Sequence, residues 1–522
     1  MKLVDIIVLV VYFLGVSLAG IYFSKRNKST EAYFLGNRNF PSWAIGISLV
    51  GTSISSISFL AYPGDAYKTA WIRLIPAFAL PVAIIIASIW FLPFFRSRQY
   101  TTAFEYLGLR FGKGARIYGA LSFVIMQLMR VGFILFLVAL LIHEFSQWPP
   151  LACIIIAGIF VSFYTIMGGF EAVVWTDVVQ TIVLLFGGLV CLFVIIGEIP
   201  GGLGEIISTA SDAGKFKLAE WDVAAQEPAE TSWGFSISKK TALMMLLVGF
   251  VNWMYEYCCN QNVVQRYCAS RSLKDARKAM WICCWSSIPI WAFFMFLGTA
   301  LWVYYGEYNV SPETTAMMMG TDGAKGDQIL PYFIFNKLPM GIAGLVIAAV
   351  LAAAMSSLDS SINAISTVLI TDIVKPYMKS DESDEYYLKL AHKLAVGTSI
   401  IMIIGAWIFY THQSKTAQDT YNILVSLTAG GLFSLYFLGF VTKTGNGRSI
   451  MIAILFTFAF SLYRGLEGVG IVPALPIDGY YTSIVGNIIM FVLGLVFAKL
   501  VPGKQNDLAG LTIYTNKDQE VQ

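Results

Sequence analysis

Residues 352–363 read AAAMSSLDSSIN: four serines, an aspartate and an asparagine inside an otherwise apolar run. At 100° per residue, Ala353, Ser356, Ser357 and Ser360 share one helix face, and Asp359 lies at its border. A second cluster, Gly51, Thr52, Ser53, Ser55, Ser56 and Ser58, crowds the run WAIGISLVGTSISSISFLAYPG, which Pro63-Gly64 closes. Glycine and serine weaken a helix, and an unwound turn frees backbone carbonyls. Hydroxyl and carbonyl oxygens are what a small hard cation such as sodium takes in exchange for water. Serine and alanine also let helices pack closely, but packing does not require the Asp359 carboxylate.

Four more charges stand in apolar surroundings. Asp177, in AVVWTDVVQ, falls near the start of a span, where it can also cap a helix. Arg130, in LSFVIMQLMRVGFILFLVALL, is at mid-span, too deep to snorkel easily. Its guanidinium wants a carboxylate, either a ligand's or that of Asp177, Asp359 or Glu256. Glu256, in NWMYEYCCNQ, is flanked by Trp253, Tyr255 and Tyr257. Aromatics beside polar groups suit a sugar-sized ligand, and they equally suit packing. Arg73, in WIRLIPAFALP, is near a span end and within snorkelling reach. Charges at such depth are costly and mark functional paths.

The elements that must position these groups are helices in a membrane. The chain has 522 residues, 57% hydrophobic and 13% charged. Apolar runs of bilayer-crossing length recur throughout, without the alternation of a β-barrel. About thirteen spans are expected, near 5–24, 42–64, 72–96, 117–142, 150–168, 174–198, 241–263, 279–304, 339–372, 389–411, 419–441, 447–464 and 479–501. The first is read as a retained helix rather than a signal peptide, since SKRNK follows it directly. Basic residues concentrate after the first, third and seventh spans, Arg266 among them, while HEFSQWPP on the other side has none. The amino terminus is therefore expected outside and the carboxyl terminus, with the tail 502–522, in the cytoplasm of a bacterial-type inner membrane. Residues 1–501 read as one transmembrane domain. A net charge of +3 suggests no nucleic-acid partner, and the seven cysteines lack metal-ligand spacing. No P-loop, HExxH or nucleophile elbow supports an ATP-driven pump or a protease, so no enzyme activity is expected.

The chain resembles the sodium/solute symporter family, the sialic acid transporters most closely. The motifs that carry the resemblance are AYFLGNRNFPSWAIGISLVGTSIS, YTIMGGFEAVVWTDVVQ, NQNVVQRYCA and AAAMSSLDSSINAISTVLITDI. The resemblance implies an all-α fold of two inverted five-helix repeats, the LeuT-like arrangement. The repeats would span 42–198 and 241–441, with extra helices at 5–24, 447–464 and 479–501. It implies a main sodium site from the carbonyls of Gly51, Ile54 and Ala353 and the hydroxyls of Ser356 and Ser357. A second sodium site would involve Asp177, Asp359 and Ser360 with Ser356, although relatives usually carry a hydroxyl where Asp359 stands. Ser55, Ser58 and Arg130 fall on substrate positions, with Arg130 holding a carboxylate. Trp253, Glu256 and Tyr257 are candidate wall or gate residues. Ala77 stands where relatives carry Gln or Glu, a gap that Arg73, one turn away, would fill. The expected function is sodium-coupled uptake of a carboxylate-bearing sugar such as a sialic acid. The alternatives are a neutral-sugar symporter, and less so a sensor or channel; oligomeric state is left open.

Overall fold

The computed structural model describes residues 3–24, 29–54, 56–222, 225, 227–229, 231–319, 326–411, 430–468 and 470–515. Among the described residues the fold is helical, with one two-stranded pairing at Trp221–Asp222 and Glu227–Pro228. The helices that matter below are α1 (Leu3–Ser24), α2 (Ser42–Ser53), α3 (Ser56–Lys68), α4 (Trp71–Arg96), α5 (Lys113–Ser146) and α6 (Pro150–Glu198). They continue as α7 (Ala242–Cys258), α8 (Gln261–Cys268), α9 (Leu273–Val303), α10 (Ile342–Val368), α11 (Asp384–Thr411), α12 (Leu432–Val441), α13 (Gly447–Gly468) and α14 (Thr482–Leu500).

Among the described residues, nine helices are long and apolar enough to cross a membrane, or eleven if each of two bent pairs counts as one span. The expected thirteen are not reached, for two reasons. The spans 150–168 and 174–198 run into each other as α6, bent at Gly169, whose φ of 60° and ψ of −166° suit only glycine. The span 419–441 is described only from residue 430, where α12 occupies its end.

The two bent pairs are the breaks that position the site. α2 and α3 meet at 54°, and α7 and α8 at 49°. Each falls in the first helix of an expected repeat. α2 ends where Gly51 and Ser53 give the helix little support, and Ile54 takes an extended conformation (φ −107°, ψ 99°). α8 restarts through Asn260, whose side chain accepts from the Asn262 amide at 3.0 Å, an ordinary N-cap.

α10 is the axis around which the rest is packed. Every residue from Val346 to Val368 is buried, and the helix packs on α6, α5 and α1. Its N-terminus is held by Asp5 of α1, which accepts from the amides of Gly341 (2.8 Å) and Gly344 (3.0 Å). By contrast, Ile155, Ile156, Ile159 and Phe163 of α6 and Ile400, Ile401, Ile404 and Ile408 of α11 are exposed. Apolar faces of that size suit lipid rather than water.

The basic residues behind the expected orientation are not all surface charges. Arg110 is buried and donates to the carbonyls of Gly439, Thr442, Thr444 and Gly445. Arg116 is paired with buried Asp372 at 2.8 Å. Arg266, read above as a loop charge, lies inside α8 and is 1% exposed. It was misassigned because hydropathy ends the preceding span at a charge, whatever that charge faces.

Candidate functional site

The two hydroxyl-rich stretches meet. The Ser356 hydroxyl of α10 donates to the Gly51 carbonyl at the end of α2 at 3.0 Å, and lies 3.1 Å from the Ala353 carbonyl. The Ser357 hydroxyl is buried and has no hydrogen-bond partner among the described residues. Ile54, also buried, follows the last helical residue of α2, so its carbonyl is past the regular ladder. Three carbonyls and two hydroxyls from two helices are the donor types a dehydrated alkali ion accepts. Gly51 must be small for this approach: a Cβ there would sit 2.6 Å from the Thr181 hydroxyl of α6. Thr181 is itself turned toward the Asp177 carbonyl at 2.7 Å.

One helical turn further along α10 the arrangement differs from expectation. Asp177 Oδ2 accepts from the Ser48 hydroxyl (2.5 Å) and from Arg266 Nη2 (2.8 Å). Arg266 also donates to Ser360 (2.5 Å), Ser48 (2.8 Å) and the Asn262 carbonyl (2.8 Å). The guanidinium thus bridges two of the residues expected to bind a second sodium. Asp177 Oδ1 has no hydrogen-bond partner among the described residues. Asp359 is fully buried and turns elsewhere, with Oδ2 accepting from the Tyr164 hydroxyl at 3.1 Å and Oδ1 from the Ser360 amide at 2.6 Å. Its place at the border of the serine face explains this: it points to α6 rather than to the broken helix.

Arg130 projects from α5 toward the first break. Its Nη2 donates to the Thr52 carbonyl at 3.2 Å, and its buried Nε has no partner among the described residues. Among the described residues no ion pair joins it to Asp177, Asp359 or Glu256, so the internal pairing considered above is not seen there. Glu256, half-buried near the second break, accepts from Asn260 Nδ2 at 2.7 Å. Ser58 is buried in the first turns of α3. Ser55 lies outside the described residues.

The remaining candidates are engaged in packing. Trp253 donates to the Pro76 carbonyl at 2.9 Å and stacks on Trp291 with centroids 5.2 Å apart. Tyr257 is buried with its hydroxyl 3.2 Å from Cys283 Sγ. Arg73 pairs with Asp65 and bonds the Tyr480 hydroxyl. Ala77 is buried.

Sequence reasoning missed Arg266, Ser48, Tyr164 and Gln127, the last of which accepts from Ser361 at 2.9 Å. Arg266 and Ser48 both lie within the quoted motifs, so a search for a cation to match Asp177 would have reached them.

The chain is 32% identical over 502 residues to the sodium/sialic acid symporter SiaT of Proteus mirabilis, covering 95% of each. It is 29% identical over 507 residues to the sodium/sialic acid symporter NanT of Aliivibrio fischeri, covering 96% of this chain and 94% of that one. Among solved structures, a substrate-bound, outward-open sodium-coupled sialic acid symporter superposes with a TM-score of 0.84 at 29% identity, over 97% of this chain and 99% of the other. The likeness extends along the whole LeuT-like architecture. A model of the sodium:solute symporter family matches residues 33–448, across both broken helices and α10, and the chain belongs to that family.

Proposed function

We propose that this integral membrane protein is a sodium-coupled symporter that imports a carboxylate-bearing sugar of the sialic acid class. The observation that carries the reading is the meeting of Ser356 and the Gly51 carbonyl at 3.0 Å, where a broken helix touches the central one. Sodium bound by the carbonyls of Gly51, Ile54 and Ala353 and the hydroxyls of Ser356 and Ser357 ties α2 to α10. The substrate then enters beside the first break, near Ser55 and Ser58, with its carboxylate on Arg130. That no carboxylate among the described residues pairs with Arg130 favours an acid sugar over a neutral one. Asp177, Asp359 and Ser360 form a lower polar layer, in which Arg266 already supplies positive charge.

Closure over the solute and reopening inward release both ligands, with the amino terminus outside and the carboxyl terminus in the cytoplasm. Each inward-moving charge contributes about 2.3 kcal/mol per 100 mV. Coupling requires that sodium and solute prefer the same conformation, because a ligand with equal affinity for both shifts nothing.

Thermal-shift screening of the purified protein tests the reading, using sialic acids, neutral hexoses and short carboxylates with and without sodium. A sodium-dependent shift with the acids, lost in Arg130→Ala while the sodium shift alone persists, is expected. A sodium-dependent shift confined to neutral hexoses overturns it.

A further inference from the structure

We propose that Gln127 is a positioning residue that couples sodium to solute: its bond to Ser361 closes a ring of three helices around both ligand positions. The inference rests on the sodium and Arg130 assignments above, and it adds a residue that touches neither ligand.

The ring is made of contacts at bonding distance. Consecutive carbonyls at the end of α2 face different helices. Gly51 accepts from the Ser356 hydroxyl of α10 at 3.0 Å, and Thr52 accepts from Arg130 Nη2 of α5 at 3.2 Å. Three residues back along α5, on the same face as Arg130, Gln127 Oε1 lies 2.9 Å from the Ser361 hydroxyl of α10. That hydroxyl also lies 2.8 Å from the Ser357 carbonyl, one turn back toward the sodium residues. The path from Gly51 through α10, α5 and Arg130 therefore returns to Thr52.

Each ligand acts on one side of this ring. Sodium draws the Gly51 carbonyl onto α10. A solute carboxylate engages Arg130, which otherwise rests on the Thr52 carbonyl. The two events meet in a single turn of α2, provided that α5 and α10 keep their spacing. Arg116 and Asp372 tie these helices at the start of α5 and past the end of α10. Gln127 ties them one turn from Arg130, and both Gln127 and Ser361 are 0% exposed, so no solvent competes for their bond. Packing alone does not account for Gln127. Its Nε2 is buried with no partner among the described residues, a cost that an apolar side chain of the same length avoids.

The test measures sodium affinity of the purified full chain by calorimetric titration, with and without a saturating sialic acid. In the wild type the solute is expected to tighten sodium about fivefold or more. Gln127→Met and Ser361→Ala should each cut that factor below about twofold, while sodium alone binds within about threefold of the wild type. The double variant should be no worse than either single one, because both remove the same bond. Lys215→Met, which loosens the end of α3 far from the ring, should keep the wild-type factor and so separates coupling from general stability. A factor preserved in Ser361→Ala overturns the proposal, as do losses that add in the double variant or an equal loss in Lys215→Met. A wild type that binds sodium but no sialic acid refutes the proposed solute, and this inference falls with it.

Discussion

Replacing Arg266 with methionine is the sharpest probe of the lower polar layer. Arg266 and Asp177 are 1% and 0% exposed, so solvent does not screen their pair. The substitution removes donors to Asp177, Ser48, Ser360 and the Asn262 carbonyl at once. It strands Asp177, whose Oδ1 has no partner among the described residues, with one hydroxyl contact from Ser48. Removing one member of a buried pair costs about 3–5 kcal/mol. At about 1.4 kcal/mol per tenfold, that is a factor of roughly 10² to 10⁴ in the folding equilibrium. Neutralising the stranded acid should restore much of it, because a buried pair replaced on both sides is often close to neutral. Thermal unfolding in detergent should therefore show Arg266→Met strongly destabilised and Asp177→Asn/Arg266→Met partly recovered. Added sodium should stabilise the single variant more than the wild type, since an alkali ion can neutralise the vacated carboxylate. A single variant as stable as the wild type, or a double variant no better than the single, would refute the pairing as the organiser of this layer.

Two other outcomes follow from named contacts. Ser356→Ala deletes the hydroxyl that links α10 to the Gly51 carbonyl. The sodium concentration for half-maximal uptake should rise about tenfold or more, roughly 1.4 kcal/mol, and an unchanged sodium dependence would remove Ser356 from the cation site. Lys215, buried above the end of α3, donates to the carbonyls of Ala66, Tyr67 and Thr69 at 3.1–3.4 Å and lies over the Trp302 ring. Lys215→Met keeps the stem and loses the charge, so unfolding should be easier by about 1.5–3 kcal/mol, with faster amide exchange at the end of α3. Exchange that is unaltered there would show that the ammonium does not hold the helix end.

What could be read from sequence was whatever periodicity and solvent preference encode. The serine face of α10 was legible because 3.6-residue spacing decides which side chains share a side, and Asp359 at its border turns one oxygen to Tyr164 while the other accepts from the Ser360 amide. The break after Ser53 was legible because glycine and serine announce weak helix. Partner choice was not legible. Arg266 and Asp177 are 89 positions apart, and nothing in either local run says which distant charge will meet it. A hydropathy window scores Arg266 as the polar end of a span, whereas the fold bends there and buries it between α2, α6 and α10. The same limit hid the state of Arg130. Spacing showed that it was deep, and only the fold shows that among the described residues its guanidinium donates to the Thr52 carbonyl and pairs with no carboxylate.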